Sequence, residues 1–264
     1  MNTRNTEVFP FRFNPEYAYN EIQTHWISWA SKNKFDNINW VVGISGGKDS
    51  TVVAALAVKT FGKDKVIGVT LPCDEQSDYS DSLRVIKHLG IKHININVGD
   101  AVSSILQGIE NNALEASYDT KTNLPARIRM SALYAVAQTM NGFVLNTSNL
   151  TENRLGYSTL FGDHAGGYAP LCGLTVSEVI ELGDWLGIPY ELTHKTPIDG
   201  LQPKTDEEKL GMKYADVDRL IRTNEGTYAN WSSTFNKNVA NRFKLKLVNI
   251  PGPQFLEFPD FFRN

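Results

Sequence analysis

Apolar positions change period several times along the chain, and each change marks an element. Between Pro15 and Asn33, Tyr19, Ile22, Trp26 and Trp29 recur at helical spacing, which predicts an amphipathic helix. Asn39 to Ile44 then reads as a buried strand, Ser45 to Ser50 as a turn and Thr51 to Phe61 as a helix of small and apolar residues. The alternation continues with strands at Val66 to Leu71, His93 to Val98 and Phe143 to Asn146. Helices are predicted at Tyr79 to Leu89, Ala101 to Glu110 and Leu124 to Met140. Strands alternating with helices imply an α/β fold, a doubly wound parallel sheet with helices on both faces. Ligands of such folds sit beyond the carboxyl ends of the strands.

Beyond the fourth strand the pattern loosens. Residues 162–170 are rich in Gly and polar side chains, Thr175 to Leu186 is helical again, and 196–211 is a long loop without strong periodicity. Loops of that length are usually functional or mobile. Helices are expected at Tyr214 to Thr223 and Thr227 to Asn241, before a Pro- and Phe-rich tail. With 264 residues the chain suits one domain over 1–264, carrying a helical segment at 1–37 and C-terminal helices.

Composition narrows the function classes. A net charge of -3 gives no general attraction to polyanions, so nucleic acid is not the expected partner. The longest apolar runs are strand-sized, far below the roughly 20 residues of a membrane span, and the N-terminus has no signal-peptide core. A cytoplasmic protein is expected, with no membrane partner. The two cysteines, Cys73 and Cys172, stand far apart and form no metal or disulfide pattern.

The string SGGKDS, Ser45 to Ser50, lies between a buried strand and a helix. A glycine-rich turn there presents backbone N–H groups and a positive helix end to an anion. Two serine hydroxyls and the Asp49 carboxylate suit a metal-chelated polyphosphate. A Walker loop is excluded, because Gly43 to Lys48 is one residue short and Asp49 follows Lys48. The GxGxxG dinucleotide spacing is also absent.

SGGKDS resembles the loop of the N-type ATP pyrophosphatases, which cut ATP between its α and β phosphates and adenylate a substrate. Four further strings extend the resemblance to ammonia-dependent NAD synthetases from about Trp40 to Lys244: LPCDEQ (71–76), NLPARIRM (123–130) with Tyr134, NTSNLTENRLGYSTLFGDHAGG (146–167) and KTDEEKLG (204–211). The resemblance implies an adenine-nucleotide-hydrolase-like, Rossmann-like fold. It also implies ATP-dependent amidation of deamido-NAD with ammonia through an adenylate, with Mg2+.

By that resemblance Gly43, Ile44, Ser45, Gly46, Gly47, Lys48, Asp49, Ser50, Thr70, Gln76, Thr147 and Thr205 bind ATP. Asp49 and Glu152 bind the metal, and Asp49 and Lys48 serve the chemistry. Asn123, Arg127, Tyr134, Asp163 and Lys244 face the acid substrate, and the 196–211 loop is mobile. Lys48 occupies a variable position of the pattern and can simply face solvent. Arg127 and Arg129, two apart on a helix, cannot share one face. Members of this family pair as homodimers, and the aromatic side of the first helix suits either that interface or a core.

Four positions depart from the family pattern: Leu160, Gly167 and Val176 stand where a lysine, an aspartate and a lysine are expected, and Phe243 where a histidine is. They leave open a related AMP-forming amide ligase acting on another carboxylate. Thiolating or lysidine-forming relatives would need a basic surface or paired cysteines, and the sequence has neither. A sensor that has lost catalysis sits poorly with Asp49 and Glu152 both present.

Overall fold

The structure, a computed structural model, describes residues 13–74, 79–195, 207 and 213–223. Helix α1, Pro15–Lys32, starts on proline, whose missing N–H costs nothing in the first turn, and the Asn14 side chain accepts from Tyr17 N at 3.0 Å. Then follow β1 (Asn39–Gly43), α2 (Lys48–Phe61), β2 (Val66–Thr70), α3 (Tyr79–Leu89), β3 (Lys92–Asn95) and α4 (Gly99–Glu110). The order continues with α5 (Tyr118–Thr139), β4 (Gly142–Val144), α6 (Leu150–Leu155), α7 (Val176–Trp185), α8 (Tyr190–Thr193) and α9 (Tyr214–Thr223).

The four strands form one parallel sheet in the order β3-β2-β1-β4. The chain winds outward from β1 through β2 to β3, then returns to place β4 on the other side of β1. That reversal opens a crevice at the carboxyl ends of β1 and β4, where such folds bind ligands.

Alternation along the strands divides the core. Trp40, Val42, Ile44 and Leu145 pack with Trp26 of α1, Leu56 of α2 and Leu182 of α7. Val41, Ile67, Val69 and Val144 face the opposite way, against Met130, Leu133 and Val136 of α5. Trp26 is fully buried, with its ring 4.8 Å from Tyr168 and 5.1 Å from Trp40. Truncating it to alanine costs about 3–5 kcal/mol. The aromatic side of α1 is therefore core of this chain, and the large apolar residues that α1 turns outward are Tyr17 and Ile27.

Helices α5, α6 and α8 differ from the periodicity reading, which placed no helix at Tyr190–Thr193. Helix α5 starts at Tyr118 and runs through Pro125, capped by Ser117 Oγ accepting from Thr120 N at 3.2 Å. The expected start is Leu124; the cost of Pro125 inside the helix is outweighed by the packing of α5 on the sheet. Helix α6 was hidden in a polar stretch because it is only six residues long and is held by its cap. Of the C-terminal helices, α9 has the predicted bounds, and 227–241 lies outside the described residues.

Candidate active site

Ser45 to Gly47 turn the chain from β1 into α2, and the serines of the string fasten the turn. Ser45 N donates to Ser50 Oγ at 3.3 Å, and Gly47 N donates to Ser45 Oγ at 3.3 Å. Ser50 Oγ and Thr51 Oγ1 donate to Gly47 O at 3.2 and 2.7 Å. Gly43 closes β1, and Ile44 N continues the ladder to Val69 O at 2.8 Å. Gly46 has φ +79° and lies against α3, where an added Cβ would come within 2.9 Å of Asp81 Cβ and of the Ser82 backbone N. Gly47 is the N-cap of α2, and no side chain caps that first turn. The positive end of α2 thus opens at the carboxyl end of β1.

Asp49, in the first turn of α2, accepts from Lys48 Nζ at 2.8 Å on one oxygen and from Asn149 Nδ2 at 2.9 Å on the other. Asn149 also caps α6: its Oδ1 accepts from Glu152 N at 2.9 Å, and Glu152 Oε2 accepts from Asn149 N at 3.1 Å. This reciprocal capping box draws Glu152 toward Asp49. Burial pushes the Glu152 carboxyl well above the ordinary carboxylate range, the Asp49 charge adds to that, and Lys48 opposes it. Lys48 does not face solvent. It is buried at 6% exposure, with Nζ 5.9 Å from the Tyr214 ring centroid.

Three of the predicted acid-recognition residues, Asn123, Arg127 and Tyr134, fall on one face of α5, one to three turns apart, and each touches the loop 159–165. Asn123 Oδ1 accepts from Thr159 Oγ1 at 2.8 Å, Arg127 Nε donates to Leu160 O at 3.1 Å, and Tyr134 OH donates to Ala165 O at 2.7 Å. Asp163 steadies that loop by accepting from Thr159 N at 2.8 Å, and its charge also raises Glu152. Arg129 points the other way, donating to Leu71 O at 2.8 Å, so the two arginines divide as helix geometry requires.

Thr70 ends β2, buried, with its hydroxyl 2.8 Å from both Asn95 Oδ1 and His93 Nε2. Thr147 lies in the irregular segment between β4 and Asn149 and is half-buried. Gln76, Thr205, Lys244 and Phe243 lie outside the described residues, as does the 196–211 loop apart from Glu207. The three described departures have distinct surroundings. Val176 is buried with Leu155, Tyr214 and Val217, a lysine's place taken by core. Gly167 lies under Phe143, where a Cβ would sit 2.4 Å from two ring atoms. Leu160 is exposed and offers its carbonyl to Arg127.

Sequence reading passed over three contributors. Asn149 was visible in the Asn-x-x-Glu spacing of a capping box. Lys195 reaches Asp81, which flanks Gly46, at 2.7 Å, and that bond holds the Asp81 carboxyl below its usual range. Asp218 of α9 reaches α6 and α7. Neither of these long-range pairs has a local signal.

Residues 20–249 match the family model for NAD synthase. The chain is similar to the NH(3)-dependent NAD(+) synthetase of Pyrococcus furiosus, 37% identical over 206 residues, covering 77% of each chain. It is 40% identical over 186 residues to the enzyme of the same description from Methanosarcina mazei, covering 69% of this chain and 72% of that one. Among solved structures it is similar to the NMN synthetase of Francisella tularensis, with TM-score 0.77 and 32% identity over 89% of this chain and 95% of that one.

Proposed function

The chain belongs to the NAD synthase family and is an ATP-using ligase, and from that premise we propose how its residues divide the work. The reaction is ammonia-dependent synthesis of NAD: deamido-NAD is activated at its nicotinate carboxylate as an acyl-adenylate, which ammonia then converts to the amide. The observation that carries this reading is the joining of Asp49, in the anion-binding turn, to Glu152 through Asn149.

The main chain of Gly46 and Gly47 and the open end of α2 hold the polyphosphate, with Gly43, Ile44, Ser45, Ser50, Thr70, Gln76, Thr147 and Thr205 around the nucleotide. Asp49 and Glu152 fit Mg2+: two carboxylates brought together at a half-buried site repel, and a hard divalent cation relieves that repulsion. Bound there, the ion supplies charge neutralisation at the phosphates. Lys48 holds one oxygen of Asp49 and orients the carboxylate. A carboxylate oxygen of the acid attacks the α-phosphorus, and pyrophosphate leaves with the bonding electrons. Ammonia then attacks the acyl carbon, AMP departs with the oxygen that joined it, and the nitrogen loses a proton. No protein nucleophile is needed, so positioning and electrostatics carry the catalysis. Arg127 is the cation beside the acid, and Asn123, Tyr134, Asp163 and Lys244 complete that side.

We also propose that residues 1–264 act as one cytoplasmic catalytic unit and that two copies pair, with exposed Ile105, Leu114 and Tyr118 available on the α4–α5 side. Among the described residues no helix is long and apolar enough to cross a membrane.

A second reading concerns the acid alone. Leu160 and Gly167 stand in place of a lysine and an aspartate of the family pattern, and the 32%-identical solved relative is an NMN synthetase, so a mononucleotide acid is the alternative substrate. Purified protein with ATP, Mg2+ and ammonium is given deamido-NAD or nicotinate mononucleotide, and NAD, NMN and AMP are quantified. NAD and AMP in equal amounts support the first reading. Preference for the mononucleotide supports the second, and pyrophosphate exchange with other acids only would overturn both.

A further inference from the structure

Helix α9 lies behind the carboxylate pair, and one buried side chain fixes it there. Asp218 is 5% exposed. One of its oxygens accepts from Thr151 Oγ1 at 2.6 Å, and the other accepts from Ser177 N at 2.8 Å and Ser177 Oγ at 2.7 Å. Thr151 Oγ1 in turn accepts from Val176 N at 3.1 Å. A single carboxylate therefore joins the first turns of α6 and α7, and it and Thr151 Oγ1 each take up one N–H group that the start of α7 leaves without a partner.

The neighbours of Thr151 give this joint its meaning. Thr151 stands between Asn149, which donates to Asp49, and Glu152. A helix of six residues does not hold its own shape in water, so the direction of its first turn depends on what grips it. The capping box grips it from within, and Asp218 is the grip from outside. One turn earlier on α9, Tyr214 lies beside Lys48, so the same helix borders both halves of the Lys48/Asp49/Asn149/Glu152 group. Arg222, a turn later, anchors α9 to Glu178 of α7, and it also donates to Gly173 O at 2.9 Å.

We propose that Asp218 is a positioning residue for the metal-nucleotide site, acting through Thr151 to hold Asn149 and Glu152 in register with Asp49; the inference rests on Asp49 and Glu152 being the Mg2+ carboxylates. Unlike a clamp that only adds stability, this one sets the magnesium requirement.

The test compares T151V, T151S, D218N and R222M with wild type. The readouts are the Mg2+ concentration giving half-maximal binding of a non-hydrolysable ATP analogue by calorimetry, and the melting temperature without ligand. T151V keeps the side chain's shape and deletes only its hydroxyl, so it carries the test even where D218N does not fold. Loss of the bond raises the half-saturating Mg2+ about tenfold or more in T151V and D218N, as removal of groups that orient metal ligands typically does. T151S retains the wild-type value, and R222M melts lower with its Mg2+ requirement unchanged. A wild-type Mg2+ requirement in T151V would overturn the proposal, as would an equal rise in R222M. E152Q separates the two levels: an unchanged requirement there sinks the assignment of the carboxylate pair itself.

Discussion

Adding one methyl group at Gly46 sets two separable penalties against each other. Gly46 and Gly187 share nearly the same backbone angle, φ +79° and +78°, but a Cβ on Gly187 would meet nothing within 4 Å. At Gly46 it would lie 2.9 Å from Asp81 Cβ and from the backbone nitrogen of Ser82. The left-handed conformation costs an alanine about 1–2 kcal/mol at either site. Overpacking against backbone adds about 1–3 kcal/mol at Gly46 alone. G46A should therefore lose about 3 kcal/mol, and at about 2–4 °C per kcal/mol for a domain this size it melts about 6–12 °C lower. G187A should fall by only about half as much or less. On the proposed phosphate role of the turn, its displacement should cost one charge-assisted hydrogen bond of about 1.5–3 kcal/mol and weaken ATP binding about 10- to 100-fold. Differential scanning fluorimetry and calorimetric titration with Mg-ATP read both effects. G46A and G187A melting together, with unchanged ATP affinity in both, would refute the packing of the turn on α3 and its role in holding phosphate.

Three further outcomes follow from the same geometry. A carboxyl whose pKa is raised on folding binds its proton more tightly in the native state, so without metal the protein loses stability as pH rises above 4.5, the ordinary value for Glu152. E152Q should remove that loss, melting higher than wild type at pH 8 while forming little product; a lower melting point at pH 8 would contradict it. R127A should raise KM for the acid about tenfold or more while leaving KM for ATP within about twofold, since a charged hydrogen bond is worth about 1.5–3 kcal/mol; equal losses for both substrates in initial-rate kinetics would place Arg127 elsewhere. G167D, which restores the aspartate of the family pattern, should destabilise by about 1–3 kcal/mol against the Phe143 ring, and G167D/F143A should melt higher than the sum of the single changes predicts, as coupled neighbours do.

What the sequence made legible was local. The turn, its flanking strand and helix, and the four parallel strands all follow from periodicity and glycine placement within short windows. Arg127 and Arg129 separated as a two-residue offset on a helix demands, one toward Leu160 and one toward Leu71. The failures were of two kinds. The start of α5 lies at Tyr118 and not at the expected Leu124, because Ser117 caps it there and sheet packing outweighs Pro125 in its interior. The aromatic side of α1 left core and interface open until Trp26 was seen enclosed by Trp40, Phe61 and Tyr168. Contacts between distant segments, Lys195 with Asp81 and Asp218 with Thr151, leave no periodic trace, and they require the folded chain.

The central claim is activation of a carboxylate through an adenylate. Deamido-NAD labelled with 18O in its nicotinate carboxylate, turned over with ATP and ammonium and followed by mass spectrometry of the products, tests it directly. The account predicts one 18O atom in AMP for each amide formed and none in pyrophosphate. Unlabelled AMP, or label released in inorganic phosphate together with ADP, would contradict it.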